Sequence, residues 1–391
     1  MKSTRRYDLD WLRVLAFGLL IFFHAGMFFN YWGWHVKNNV QTHLIEYPMR
    51  FSSAWRMALL FMISGMGVYW ALGRRSAGEF IGERTKRIFL PLVFGMFVIV
   101  PPQIFYERLQ QGASFSYGEF YKTVFDFQPY PKGSFSWHHL WYLIYLFSYS
   151  FIGLPILLYL RKPAEQRVTA KLASFFSNPV WLLILPTVWH WLADFLLEER
   201  FPTTNALVND WRQHWHYFTL FLTGYVFCTQ QQFWDTLARY RFLTLGLMVV
   251  TTTILYAFFW IDQPQLEGWN YEAYALFRTF NAWTCLLTIF GNGYQYLNFN
   301  NRFLAYANEA VYPFYILHQT ITVAAGYYLA PLLIDWPVKF ILLAAITFFG
   351  CWILYHFIIR HFAFTRLVFG LKPKATHTPV VIESPNAKSV R

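Results

Sequence analysis

Two ionisable residues, Arg13 and His24, lie in a long apolar run near the N-terminus. In an α-helix their spacing places them on nearly the same face, about 16 Å apart along the axis. Ionisable groups are costly inside a membrane helix and usually serve function. The phosphopantetheine arm of coenzyme A has a comparable length. An acyl-CoA could therefore rest its phosphates near Arg13 and present its thioester to His24, whose imidazole could take a proton from an acceptor hydroxyl.

A simpler interpretation of these two residues stays open. Arg13 could anchor its helix at the lipid headgroups, and His24 could pack as a polar residue of a helical bundle. Asp10 lies about one turn closer to the N-terminus than Arg13, too far from His24 to orient it as a triad partner would. Spacing alone does not decide between catalysis and packing.

Two further histidines are candidates for the same chemistry. His318 lies midway along an uncharged run, in YPFYILHQTI, at a depth that could match that of His24. His139 lies in HHLWYL, at the start of another apolar run. A packed histidine is the alternative for His318. For His139 the alternative is an interfacial aromatic belt without catalysis.

Arginines and small residues mark the ends of two other apolar runs. Arg56 opens MALLFMISGM, in which Ser64 and Gly65 would let a thin ligand or another backbone approach closely. Arg84 and Arg87 precede the next run, where guanidinium groups could bind phosphate in a bidentate fork. Helix packing and topology anchoring are the respective alternatives.

The composition is that of a membrane protein. Of 391 residues, 56% are hydrophobic and 13% are charged, whereas soluble domains carry about 25% charge. The net charge of +12 comes from basic residues between apolar runs. We therefore expect contacts with lipid headgroups or an anionic ligand and no nucleic acid.

The apolar runs predict an all-α polytopic transmembrane helical bundle of about ten spans, because a membrane helix needs about 20 mostly apolar residues. The predicted spans are roughly 10–30, 55–73, 88–106, 139–160, 179–197, 215–234, 242–261, 278–299, 305–330 and 339–360. Most of the 32 Lys and Arg residues fall on the side of the termini, which places both termini in the cytoplasm. Residues 1–371 would form one membrane domain, and residues 372–391 a disordered cytoplasmic tail.

Several other chemistries find no support. The chain contains no Walker loop, HExxH or GxSxG motif. Cys228, Cys285 and Cys351 each lie in an apolar run without disulfide or metal-ligand spacing. We therefore expect no metal.

Five segments, in the same order along the chain, resemble the membrane-bound acyltransferase-3 family. Arg13 and His24, separated by ten residues, resemble its first-helix signature. RMALLFMISGM resembles its second-helix pattern ending in Ser-Gly, and ERTKRIFLP resembles its cytoplasmic Arg-x-x-Arg element. HHLWYLIYLF resembles its His-Leu-Trp-Phe-Leu segment, with Tyr142 in place of Phe, and NEAVYPFYILHQTI resembles its Tyr-x-x-Tyr-x-x-His segment.

The resemblance implies an acyl-CoA donor on the cytoplasmic face and an acceptor hydroxyl outside. It implies that His24 is the essential base and that His139 and His318 line the acyl or acceptor pocket. The residues expected to bind coenzyme A are Arg13, Arg84, Arg87, Ser64 and Gly65. The residues expected to bind the substrate are Arg56, Trp141 and Tyr315. In this scheme Arg56 faces a succinyl carboxylate.

Within the family, the chain resembles the branch that succinylates osmoregulated periplasmic glucans. We therefore expect an O-acyltransferase of a bacterial inner membrane that uses succinyl-CoA or acetyl-CoA to modify an envelope glucan or another envelope carbohydrate. The oligomeric state stays open, with a homodimer as one option. The alternatives are a transporter or flippase for an envelope glycan or its lipid-linked precursor, and a non-catalytic partner of a glycan synthase.

Overall fold

A computed structural model describes residues 5–162 and 165–373, and the regular elements in these ranges are helical. The predicted all-α class is confirmed. Among the described residues the only β-type pairing is an isolated bridge between Pro129 and Phe135. The predicted tail at 372–391 lies outside the described residues from 374 onward.

The helices are numbered here in chain order. They are α1 (Tyr7–Met27), α2 (Glu46–Leu72), α3 (Ala77–Gln110), α4 (Tyr117–Lys122), α5 (His138–Ile152), α6 (Leu154–Leu160), α7 (Gln166–Phe175), α8 (Pro179–Leu197), α9 (Trp211–Phe227), α10 (Gln231–Trp260), α11 (Gly268–Tyr296), α12 (Arg302–Leu329), α13 (Trp336–Ile359) and α14 (Ala363–Val368).

Each predicted span coincides with one helix or, for 139–160, with the bent pair α5 and α6. Six helices of the described chain (α1, α2, α3, α8, α10 and α13) are long and apolar enough to cross a membrane, and the bent pair would make a seventh. The recognisable spans are therefore six or seven, fewer than the ten predicted. The other three are α9, with 17 residues, and α11 and α12, which direct polar residues such as Asn281 and His318 into the protein.

The helix α10 shows the surface expected against lipid. Its most apolar stretch is only 17% buried inside the protein, with a mean hydropathy of 2.0. Phe242, Val250 and Phe258 lie exposed along it. An apolar helix surface of this extent is stable only against another apolar phase. This supports a multi-pass membrane protein.

The helix α1 lies at the centre of the bundle, in contact with α2, α11, α12 and α13. Its residues Leu9, Leu12, Ala16 and Leu20 are buried at the three- and four-residue spacing of one helix face. His24 lies one turn beyond Leu20. The amphipathic pattern of α1 therefore turns His24 toward α12.

Prolines interrupt two of the helices. α5 and α6 meet at an angle of 53° around Gly153, two residues before Pro155, which has no N–H to continue the ladder. In α3, the turn Thr85–Phe89 is π-helical and is followed by Pro91. A proline at this point leaves the carbonyl of Arg87 without its usual donor, and a wider turn accommodates the loss.

Glycines bring α2 and α9 into backbone contact. A Cβ atom added at Gly65 would lie 1.8 Å from the carbonyl oxygen of Phe221, and one added at Gly224 would lie 2.0 Å from that of Met62. Only glycine permits this approach, as at small-residue interfaces of other membrane helices. The structure thus places Gly65 in the α2–α9 interface.

We expect Gly65→Ala to lower stability by about 1–3 kcal/mol, because the added methyl group must push the two helices apart. The check is the temperature at which half of the detergent-solubilised protein remains monodisperse. Gly67→Ala is the matched control on the same helix, since its Cβ would meet no non-local described atom within 4 Å. Equal midpoints for the two variants would contradict the role assigned to Gly65.

Candidate functional site

A cavity of about 740 Å³ lies where α1, α2, α3, α5 and α12 meet three loops. We call it the central cavity. Its wall contains six residues predicted from the sequence: His24, Arg56, His139, Trp141, Tyr315 and His318. Residues far apart in sequence thus converge on one cavity.

His24 and His318 form the centre of this site. Their ring centroids are 4.8 Å apart, with the planes at 68°. Nδ1 of His318 lies 2.7 Å from the carbonyl oxygen of Tyr315. A carbonyl only accepts hydrogen bonds, so Nδ1 carries the proton and Nε2 keeps its lone pair. Within the described ranges, His318 Nε2 and His24 Nδ1 are buried without a hydrogen-bond partner. The pair can therefore accept a proton from a bound ligand.

His139 is held more tightly. Its Nε2 lies 3.0 Å from the carbonyl oxygen of Ile316, and its Nδ1 lies 3.4 Å from the amide nitrogen of Gln103. The hydroxyl of Tyr315 donates to the backbone carbonyl of His139 over 2.5 Å. Both ring nitrogens of His139 are engaged, so its geometry favours positioning of α12 over proton transfer.

Arg56 brings a positive charge into the central cavity. It is 5% exposed, and its guanidinium carbon lies 3.8 Å from the ring centroid of Phe23. Its Nε and Nη1 atoms find no hydrogen-bond partner in the part of the chain that the structure describes. Its charge acts on both His24 and His318. A buried guanidinium without a counter-ion is a strong attractor for an anionic group.

Arg13, Arg84 and Arg87 form a separate group, which we call the basic cluster. The charges of Arg13 and Arg84 act on the hydroxyl of Tyr142, and those of Arg84 and Arg87 act on the hydroxyl of Tyr312. Arg87 donates to the carbonyl oxygen of Gly370 and pairs with Glu83. Arg13 donates to Asp10 and Asn308. The π-helical turn Thr85–Phe89 of α3 follows Arg84 directly and contains Arg87.

An aromatic column connects the basic cluster to the central cavity. Phe17 lies on α1 between Arg13 and His24, and its ring contacts those of Tyr142 and Tyr315. Ser64 lies 2.5 Å from the hydroxyl of Tyr142, so it belongs to this column. Of the predicted coenzyme A residues, Gly65 alone faces away, toward α9.

Sequence reasoning missed a polar group at the rim of the central cavity. His35, from the α1–α2 loop, lies 2.5 Å from Glu107, and its other nitrogen accepts from Gln319 over 3.1 Å. Tyr130 donates to Glu107 over 2.7 Å. Burial and this hydrogen bond raise the pKa of Tyr130 well above its usual range, so it stays a donor. Of this group, His138 lies beside a residue predicted from the sequence, His139, in the doublet HHL.

The ligand atoms of His35, Glu107 and His138 lie within 4.8 Å of one another, a donor set that suits Zn²⁺. However, the rings of His35 and His138 are stacked with planes only 8° apart. A metal ion must lie near the plane of each imidazole, about 2 Å from its nitrogen, which two stacked rings do not allow. The arrangement fits a hydrogen-bond network better than a metal centre.

Comparisons with known proteins agree on one family. A family model described as an acyltransferase domain matches residues 6–356. Similar proteins include Glucans biosynthesis protein C of Salmonella heidelberg (strain SL476), which is 22% identical over 349 residues, covering 84% of this chain and 85% of the relative. The protein of that name from Salmonella paratyphi B is 23% identical over 352 residues, with the same coverage. No solved structure gives a significant match.

We expect Arg56→Met to stabilise the ligand-free protein by about 1–4 kcal/mol, because it removes a buried charge that lacks a counter-ion. The matched control is Arg366→Met. Arg366 is similarly buried but bonded to Glu309 and to the carbonyl of Lys372, so its loss should destabilise. Thermal unfolding in detergent measures both. A loss of stability in Arg56→Met would show that its charge is compensated.

Proposed function

The chain belongs to the membrane-bound acyltransferase-3 family, and from this premise we propose that it moves an acyl group from cytoplasmic acyl-CoA to a hydroxyl of an extracytoplasmic carbohydrate. The observation that carries the proposal is the pair His24 and His318, whose unpartnered nitrogens share the central cavity with Arg56. This site provides a base and an anion-binding group in one cavity.

The proposed reaction is direct transfer. His24 takes the proton of the acceptor hydroxyl, and the oxygen attacks the thioester carbonyl. The carbon–sulfur bond breaks, the ester forms, and the coenzyme A thiolate takes the proton back from His24. The ring of His318 lies beside that of His24, with the centroids 4.8 Å apart. No proton is gained or lost overall, so no external acid or base is needed.

The basic cluster supports the donor assignment. Three arginines gather at the end of α1 that precedes His24 by about 16 Å along the helix axis. Nε of Arg13 and Nε of Arg84 are buried N–H groups without a partner among the described residues. Guanidinium groups with free donors suit the phosphates of coenzyme A. The aromatic column of Phe17, Tyr142 and Tyr315 then flanks the path for the pantetheine arm.

Arg56 supports a dicarboxylic acyl group. A succinyl chain carries a carboxylate a few bonds from its thioester carbonyl, whereas an acetyl group has no charge to offer. Placing that carboxylate on Arg56 neutralises the buried guanidinium and positions the carbonyl near His24. We therefore propose succinyl-CoA as the preferred donor.

The acceptor and the topology complete the proposal. Relatives named Glucans biosynthesis protein C suggest a glucan acceptor. The basic residues near the termini support cytoplasmic ends, and with ten crossings both ends lie on one side of a bacterial inner membrane. The site is built from one chain, so the reaction requires no second copy.

We expect His24→Ala to lower acyl transfer by about 10²- to 10⁴-fold, the usual effect of removing a general base. Purified protein in liposomes receives radiolabelled succinyl-CoA or acetyl-CoA on one face and envelope glucan on the other. His318→Gln should be similarly impaired and His139→Gln less so, because His139 holds α12 in place. Label should appear on glucan only when the donor is on the face where a C-terminal tag is accessible to protease.

His361→Gln is the control, since this histidine is exposed and lies outside the proposed site. Transfer that survives in His24→Ala would remove His24 as the base. If the protein moves glucan across the bilayer and transfers no label, a transporter replaces the enzyme. Donor use from the opposite face would overturn the orientation.

We also expect Arg56→Met to lose donor discrimination. Removing one partner of a buried charge pair costs about 2 kcal/mol or more, roughly 30-fold. The ratio of kcat/KM for succinyl-CoA to that for acetyl-CoA should fall by this factor, while transfer from acetyl-CoA changes little. An unchanged ratio, or a wild-type protein that prefers acetyl-CoA, would be inconsistent with a carboxylate on Arg56.

A further inference from the structure

A second cavity, of about 430 Å³, lies between α2, α8, α9 and α11. Its volume falls in the range of about 300–1,000 Å³ that is typical of small-ligand pockets. The proposed reaction uses none of the residues that are specific to it. It shares Met57 with the central cavity. Beside this residue, the ring of Tyr217 in the second cavity lies 5.6 Å from that of Trp141 in the central cavity. The two cavities therefore adjoin at Met57, which lines both.

The charges of the second cavity are balanced. Arg278 and Arg212 pair with Asp194 at 3.6 and 3.3 Å, and Arg212 also pairs with Glu198 at 2.6 Å. Nε2 of His216 lies 2.9 Å from Asp194. On the opposite wall, Arg50 pairs with Glu46 at 3.2 Å.

The three guanidinium groups are thus matched by three carboxylates. In contrast to Arg56, none of them leaves a net charge for an incoming anion. The cavity still offers hydrogen bonds, because Nε of Arg50 and Nε of Arg212 are buried N–H groups with no partner in the described chain. A ligand for this cavity must therefore be polar and uncharged.

Aromatic faces form the other part of the lining. Trp260 and Trp283 are each 3% exposed. Their indole N–H groups already donate, to the hydroxyl of Tyr274 at 3.3 Å and to the carbonyl of Leu182 at 2.8 Å. These two rings are almost fully buried, so the aromatic surface open to a ligand is that of the partly exposed rings of Trp32, Tyr217 and Tyr274. Trp32 adds a third indole, with the guanidinium of Arg50 5.5 Å from its ring centroid.

A sugar ring meets both requirements. It is neutral, its hydroxyl groups donate and accept hydrogen bonds at the rim, and its C–H groups form an apolar face that packs on an indole. A phosphate or a free carboxylate would find no unpaired cation here. A lipid tail would leave the free N–H groups of the arginines without a hydrogen-bond acceptor. The combination of balanced charge and aromatic walls is thus selective for saccharide.

We propose that the second cavity is a subsite for the carbohydrate acceptor, holding sugar residues next to the one that is acylated. This inference rests on the proposed acyl transfer and deepens it, because it predicts that an oligosaccharide is a better acceptor than a short sugar. A chain that presents one hydroxyl to His24 reaches past Met57 into the second cavity.

The test fills the cavity and varies the acceptor. Ala282→Phe places a ring in the cavity from α11, and Ser53→Phe does so from α2, since both residues line it. In wild type, kcat/KM should rise as the gluco-oligosaccharide acceptor lengthens from two to four to eight residues. In both variants, the increase of kcat/KM with acceptor length should be at least about tenfold smaller than in wild type. The KM for the acyl-CoA donor and kcat with the disaccharide should stay unchanged. Ala273→Phe, at an exposed position of α11, is the matched control.

Two results would overturn the inference: a wild type indifferent to acceptor length, or filled variants that lose activity equally with the disaccharide and the octasaccharide. If wild type transfers no acyl group to any saccharide, the proposed function fails separately. Equilibrium dialysis with the octasaccharide then decides the subsite. Weaker retention by Ala282→Phe than by Ala273→Phe supports it, and equal retention overturns it. Displacement of the octasaccharide by inorganic phosphate would identify an anion site instead.

Discussion

The free energy of burying charge inside an apolar bundle governs this structure. A guanidinium taken out of water needs a partner, because its solvation is lost and little replaces it. In the second cavity each arginine has a carboxylate, whereas Arg56 in the central cavity has none among the described residues. The two cavities that share Met57 thus differ in charge: one holds an unpaired guanidinium and the other holds paired ones. The proposed reaction places the charged part of the donor in the first and a neutral acceptor in the second.

Local sequence pattern predicted what depends on one helix alone. The Arg13–His24 spacing predicts that both residues share one face of α1, and apolar run length located each helix. Four helices (α2, α3, α10 and α11) begin about ten residues before the predicted span. Six or seven of the ten predicted spans are recognisable among the described helices by length and apolarity. In α11 and α12 the polar residues Asn281 and His318 face the interior, so these helices are less apolar than a simple span. The prediction that both termini are cytoplasmic likewise comes from the distribution of Lys and Arg residues.

Contacts between distant segments could not be predicted in this way. His35 comes from a loop and meets Glu107 on α3 and Gln319 on α12. No periodicity relates these three positions. The sequence pattern predicts that Gly65 contacts coenzyme A, because a small residue allows either a ligand or another backbone to approach closely. The position of α9 decides between these two contacts. The pairing of Asp194 with Arg212 and Arg278 has the same origin, since it depends on how α8, α9 and α11 pack.

The backbone contact between Gly65 and Phe221 has a mechanical consequence. Helices that touch carbonyl to Cα cannot slide past each other, since a shift of one residue would drive a side chain into a carbonyl oxygen. α2 carries Arg56 and Met57, and α9 carries Tyr217, so the residues where the two cavities adjoin are held by a stiff pair of helices.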